Sequence, residues 1–311
     1  MDINDAGLIR ADSDNQKIAD NVVEDSIEFN VQSTDPKAWY AHGDTLVKLH
    51  QYDNAVDSYD KAIALDPDNA LVHKVWNSRG VTLGSLGQHK DALVSFEKAI
   101  AIKPDYVLAW TNRGRTLRLL GQYEEAVTSQ DKALELEPNN AKLWYSRGNA
   151  LGVLGQHEDA LESFDKALAL NPDYAEAWYA RGIALCKLHQ YIEGGDNHGL
   201  LSNHLGRHTE GIDSYDKAIA IKPDFADAWH SRGVALGELG LHSDALISLN
   251  KALTINPDDP QLWSDRGLVL HFLGQYNEAV ESFDKALALN PDYALAKKNR
   301  DIALERNKKK F

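Results

Sequence analysis

All seven tryptophans of this chain stand at one place in copies of a single block, clearest at Ala175-Glu176-Ala177-Trp178-Tyr179-Ala180-Arg181-Gly182. From Trp39 through Trp76, Trp110, Trp144, Trp178, Trp229 and Trp263, successive spacings are 37, 34, 34, 34, 51 and 34 residues. A dominant period of 34 is the mark of a chain built from one supersecondary unit that cannot bury its apolar face alone and must stack on its neighbours. The period therefore excludes most globular folds before any other residue is considered.

Within one period the residues spell a helical hairpin. Trp144, Leu151 and Leu154 form the apolar stripe of a first helix, and Leu161, Phe164, Leu168 and Leu170 give a second helix its buried face. Gly148, Ala160 and Ala167 are small enough for the two helices to approach closely, and Gly155 suits the tight turn between them. Asn171-Pro172-Asp173 ends the second helix, because proline biases the residue before it away from helix.

The same residues recur at 36–69 (Trp39, Gly43, Leu46, Ala55, Tyr59, Ala62, Pro67) and at 73–106 (Trp76, Gly80, Ala92, Phe96, Pro104). They recur again at 107–140, 141–174, 226–259 and 260–293. This pattern resembles the tetratricopeptide repeat family, as found in bacterial tandem arrays. The resemblance implies an all-α, right-handed solenoid or superhelix of helix-turn-helix repeats, acting as a non-catalytic scaffold or adaptor with no cofactor. Six full repeats plus an irregular one at 175–225 make an array over 36–293. An acidic, largely disordered tail at 1–35, in which Val22, Val23, Ile27, Phe29 and Val31 are expected to form a marginal capping helix, precedes it, and a closing helix with a basic end at 294–311 follows.

Departures from the period mark where the array should be unusual. Ala70-Leu71-Val72 are three extra residues, and Gln130 replaces a bulky aromatic, so that site is expected to be weakly packed or hydrated. The 51-residue spacing is one period plus seventeen. Two readings stay open: one repeat with an insertion, or two repeats that lost a helix. With Gly194, Gly195 and Gly199 opposing helix, the expectation is a helix over 175–191, an irregular link, a short helical turn at 199–205 and a helix over 208–221.

Two polar rows follow the period. Arg79, Arg113, Arg147, Arg181, Arg232 and Arg266 stand on first helices, and Asp60, Glu97, Asp131, Asp165, Asp216 and Asp284 on second helices. Each arginine is expected to pair with an acid on an adjacent helix, its stem covering apolar surface. Lys61, Lys166, Lys217 and Lys285 each follow an acid by four residues, the spacing of a helical ion pair.

Composition narrows the function classes. The net charge of −14 over 311 residues argues against general nucleic-acid binding, which needs basic surface. Half of that charge sits in residues 1–35, where nine acids face Arg10 and Lys17. The single Cys186 leaves no internal disulfide and fits a reducing compartment. No apolar run approaches the roughly 20 residues that span a bilayer, and the first residues lack a secretory pattern. A cytoplasmic protein without membrane or nucleic-acid partners is the expectation.

No residue constellation outside the repeat suggests catalysis. His204 and His208 have a metal-ligand spacing, with His198 nearby, yet His89, His157, His208 and His242 share a repeat place with Tyr52, Tyr123, Tyr191 and Tyr276. That shared place makes them packing residues, and no metal site is expected. In the resembling family the first helices line a peptide-binding groove. On that resemblance the patch expected to bind is Asn112, Arg115, Arg118, Lys142, Tyr145, Asn149 and Tyr179, suited to an acidic segment of a protein partner. The groove is expected to be basic and aromatic in its N-terminal half and acidic beyond, at Glu176, Asp227, Glu238 and Asp265. Two alternatives stay open: a self-assembling array that forms homo-oligomers, or a regulatory subunit of an enzyme.

Overall fold

A computed structural model describes residues 32–192 and 201–308 of the chain. Most of the acidic tail, the link at 193–200 with His198, and the side chain of His204 lie outside the described residues. So does the marginal helix expected from Val22 to Val31. Among the described residues there are fifteen α-helices and no strand. They cluster into two compact units, one ending at Leu136 and the other beginning at Glu137.

The N-terminal unit holds three helical hairpins: α1 (Pro36–Lys48) with α2 (Tyr52–Leu65), α3 (Val72–Ser85) with α4 (His89–Ile102), and α5 (Val107–Leu119) with α6 (Tyr123–Leu136). In the C-terminal unit α7 (Ala141–Val153) pairs with α8 (His157–Leu170), and α9 (Ala175–Ile192) with α10 (Leu201–Ile221). There follow α11 (Ala226–Glu238) with α12 (His242–Ile255), α13 (Pro260–Phe272) with α14 (Tyr276–Leu289), and a last helix, α15 (Ala294–Lys308).

Five of the seven hairpins close on an aromatic ring laid over a glycine, while Gln130 and Leu249 take the ring's place over Gly114 and Gly233. A Cβ on Gly43, Gly80, Gly148, Gly182 or Gly267 would come within 2.5–2.7 Å of the ring of Tyr59, Phe96, Phe164, Tyr215 or Phe283. The turn between helices needs a left-handed residue, and Gly87, Gly121, Gly155, Gly240 and Gly274 supply it with φ of 73–79°. In the first hairpin His50 occupies that place at φ 59°, a conformation that costs a side chain roughly 1–2 kcal/mol. Its Nδ1 lies 2.9 Å from the Tyr52 hydroxyl.

The indoles anchor the joints between hairpins. Trp110, Trp144, Trp178, Trp229 and Trp263 each donate Nε1–H to the carbonyl of the proline six residues earlier, at 2.8–2.9 Å. The proline that ends one hairpin thus fixes the start of the next. Trp39 makes the same bond to the Ser33 carbonyl.

Three expectations change. Leu170, assigned to a buried face, is exposed because α8 ends there. Only Glu162–Lys166 of the expected four-residue ion pairs is formed, at 2.7 Å, while Lys61 lies over the Trp39 ring at 4.3 Å. The helix expected to begin at 208 runs unbroken from Leu201. Gly211 is retained inside it where α10 meets α9, since a Cβ there would stand 2.8 Å from Cys186 Sγ. The seventeen extra residues are taken up within this one hairpin, whose α9 has 18 residues and α10 has 21 where the other hairpins have 13 or 14, with eight residues, 193–200, between them. The contact Arg181–Ser214 spans 33 positions, where its counterparts span 16.

Candidate protein-interaction surface

The arginine row is the most regular polar feature. Arg79 reaches Asp60 at 2.6 Å, Arg113 reaches Glu97 at 3.2 Å, Arg181 reaches Asp165 at 2.7 Å and Arg232 reaches Asp216 at 2.6 Å. Arg300 of α15 pairs likewise with Asp284. Arg266 departs from the expectation: Asn250 stands where the acid would be, and its Oδ1 accepts from Arg266 Nε at 2.7 Å. The residue that closes this ladder was missed in the sequence. Ser95, Ser129, Ser163, Ser214, Ser248 and Ser282 are buried, and each accepts a guanidinium N–H from Arg79, Arg113, Arg147, Arg181, Arg232 or Arg266. Every one of these hydroxyls also donates to the carbonyl four residues back. The available signal was a small polar residue recurring inside an apolar stripe.

With those arginines committed to the scaffold, the rest of the first-helix face is what a partner can meet. In the N-terminal unit, apart from the ladder's Arg79 and Arg113, α1, α3 and α5 carry five cations (Lys37, Lys48, Lys74, Arg115, Arg118) against one acid, Asp44. The second helices α2, α4 and α6 carry nine acids against four lysines. Charge is thus segregated by layer. Burial raises the Asp44 pKa, although the Tyr59 hydroxyl donates to it at 2.8 Å and Lys48 opposes the shift.

Apolar residues are interleaved with those cations. Val81, Leu108 and Leu119 are 43%, 57% and 49% exposed. They share the stripe that holds the exposed Lys37, Lys74 and Arg115. Asn112 lies between, its Nδ2 donating to Asn77 Oδ1 at 3.0 Å and linking α5 to α3. Arg118 is half-buried one turn beyond Arg115.

In the C-terminal unit the expected site residues divide. Lys142 is exposed and Asn149 half-buried on α7. Tyr145 packs against Phe164 and Tyr174, with ring centroids 6.1 and 4.9 Å apart. Tyr179 packs in the same way on Tyr215 and Phe225, and burial raises its hydroxyl pKa. Both tyrosines therefore serve the hairpin interior and show only an edge. Further along, His230 Nε2 lies 2.7 Å from Asp265, so the acidic face there is partly self-paired.

No chemistry gathers elsewhere among the described residues. No group of three His, Cys, Asp or Glu is placed to hold a metal ion. His208 is buried with Nε2 3.0 Å from Glu238. Burial pushes the Cys186 thiol up to about 11, with the Tyr215 hydroxyl 3.8 Å away, which leaves it a poor nucleophile. A cleft of about 480 Å³ beside Trp178 is lined by Asp165, Arg181 and Ser214 of the ladder and by Asp213 and Lys217. Among the described residues no helix is long and apolar enough to cross a membrane.

Family models described as tetratricopeptide repeat match residues 73–106, 141–174, 240–303, 95–128 and 163–194. A model described as TPR repeat matches 31–74, 114–152 and 203–240. Among solved structures, a tetratricopeptide repeat protein from Parabacteroides merdae superposes with a TM-score of 0.63 at 18% identity, over 86% of this chain and 98% of that one. YrrB, described as a TPR protein with an unusual peptide-binding site, gives 0.51 at 23% identity, over 66% and 97%. A thermophilic TPR protein of Thermus thermophilus gives 0.50 at 23%, over 64% and 98%. These likenesses concern the fold. No curated protein matches the chain.

Proposed function

This chain belongs to the tetratricopeptide repeat family, and from that premise we propose that it is a non-catalytic adaptor binding an acidic, partly apolar peptide segment of a partner protein. The family implies a protein-interaction scaffold. What favours this particular ligand is the layer segregation in the N-terminal unit, where the first helices hold, beyond the ladder arginines, five cations to one acid. Charge complementarity steers encounter and suppresses wrong partners, while the interleaved apolar residues supply affinity. YrrB, by its description a peptide-binding TPR protein, shares this fold.

Arg115, Arg118 and Asn112 are the groups assigned to the ligand in the N-terminal unit, together with Lys74. Lys142 and Asn149, with the exposed edges of Tyr145 and Tyr179, are assigned in the C-terminal unit. Arginine forks suit carboxylates, and asparagine amides suit a peptide backbone. Selection of a random peptide library on the immobilised full chain tests this. Acidic peptides with apolar residues should be enriched, and a Lys74→Glu/Arg115→Glu variant with unchanged helicity should bind them at least tenfold more weakly. Enrichment of neutral or basic peptides, or equal binding by the variant, would overturn the reading.

A further inference from the structure

The charge segregation of the N-terminal unit has a counterpart inside the chain. Residues 20–29, Asp20-Asn21-Val22-Val23-Glu24-Asp25-Ser26-Ile27-Glu28-Phe29, interleave four acids with four large apolar residues and contain no base. The face formed by α1, α3 and α5 interleaves Lys37, Lys74 and Arg115 with the exposed Val81, Leu108 and Leu119. The two patterns complement one another in charge and in apolar content. We propose that residues 20–29 dock on the first-helix face of the N-terminal unit and act as an intramolecular competitor for the partner peptide.

Distance permits this. Residues 32–35 are held at the start of α1, where Trp39 Nε1–H donates to the Ser33 carbonyl and Lys37 N–H to Asp35 Oδ1, so residues 30 and 31, spanning up to about 7 Å, join the segment to that point. Adjacent first helices packed at about 10 Å put α5 about 20 Å from α1, and ten extended residues cover about 33 Å. The second-helix layer is closed to the segment by charge, since nine acids there face four lysines. Tethering makes the encounter intramolecular, with an effective concentration on the order of millimolar. Even a weak contact then competes with a partner. Displacement would reward only partners that bind more tightly than the segment, so the contact acts as an affinity threshold.

The proposal rests on the first-helix face being the peptide site, and the test separates the two ideas. Carbodiimide coupling of the full chain, read by mass spectrometry, should join Asp20, Glu24, Asp25 or Glu28 to Lys37 or Lys74, and 0.5 M salt should suppress the products. In parallel, a fluorescent peptide copying residues 18–30 is titrated into the full chain. It should bind about three- to tenfold more tightly to an Asp20→Asn/Glu24→Gln/Asp25→Asn/Glu28→Gln variant than to wild type. Binding should fall away when Lys74→Glu/Arg115→Glu is added. Coupling only to Lys61, Lys90 or Lys98 of the second helices, or between isotope-labelled and unlabelled copies, overturns the proposal. So does equal peptide affinity for wild type and the neutralised variant. If library peptides still require Lys74 and Arg115 while the segment does not, the groove stands and self-docking falls. If neither requires them, both fall.

Discussion

At the residue scale, Gln130 shows what the hairpin aromatic contributes. Its side chain is 2% exposed, where Phe96 and Phe164 stand in neighbouring repeats. Nε2 makes a 3.4 Å bond to the Thr111 carbonyl, while Oε1 is buried without a partner. An unsatisfied buried oxygen costs roughly 1–3 kcal/mol. Gly114 already leaves the ring's place open, since a Cβ there would meet Gln130 Nε2 at 2.6 Å. Gln130→Phe should therefore stabilise α5 and α6 by about 1–2 kcal/mol, seen as slower amide exchange in those helices. Slower exchange elsewhere but not there would contradict this account. His73 is a second buried polar residue, with Nε2 unpartnered. Burial, then Lys103 and Lys74, hold its pKa below the usual value, with Asp105 opposing. A depressed folded value means the unfolded chain takes up the proton first. Stability is thus unaffected above about pH 6.5 and falls as pH drops below it. The melting temperature should decline from pH 7 to pH 5, and less steeply in His73→Phe.

At the element scale, the arginine ladder holds hairpin to hairpin. Arg232 touches Asp216 of α10 and Ser248 of α12, so one guanidinium ties three helices together. The carboxylate is about half exposed, and its share of the stabilisation is correspondingly small. The bond to buried Ser248 is worth more, because that hydroxyl has no water to turn to. Arg232→Met, which keeps the apolar stem, should cost about 1–2 kcal/mol, and Asp216→Asn under 1 kcal/mol. A larger loss from Asp216→Asn than from Arg232→Met, in parallel urea titrations, would reverse the ranking. The arginine and acid rows were legible in the period. Their serine partner was not, because a serine on a helix reads as surface until its neighbour's guanidinium is seen against it.

At the scale of the whole molecule, α15 covers an apolar face left by the α13–α14 hairpin. In α15, Lys297 stands where tryptophan would be, and only Ala296 and Ala303 are buried, against Leu270, Phe283 and Ala286. Two alanines suffice because they let the helix lie close over a larger apolar face. Ala303→Glu should detach α15 and expose that face, giving dye binding and self-association that rise with protein concentration. A soluble variant with unchanged amide protection in α14 would show that the cap is dispensable.

The sequence alone determined the repeating hairpin, its period, the glycine under each ring and the family, because each is a local rule repeated at fixed spacing. It also placed Arg115, Arg118 and Lys142 on first helices. Only the tertiary structure decided which of the first-helix side chains stay exposed and which are buried in the hairpins. Tyr145 and Tyr179 turn into the hairpin interior, Arg79 and Arg113 are spent on serine and acid, and Lys74 and Arg115 stay at the surface. Periodicity assigns a residue to a helix face, but whether that face is filled depends on side chains from the next hairpin. The seventeen-residue insertion illustrates the same limit. Gly194, Gly195 and Gly199, which argue against helix, lie outside the described residues, while α10 begins at Leu201, ahead of the expected start, and carries Gly211 where close packing on Cys186 outweighs glycine's intrinsic cost.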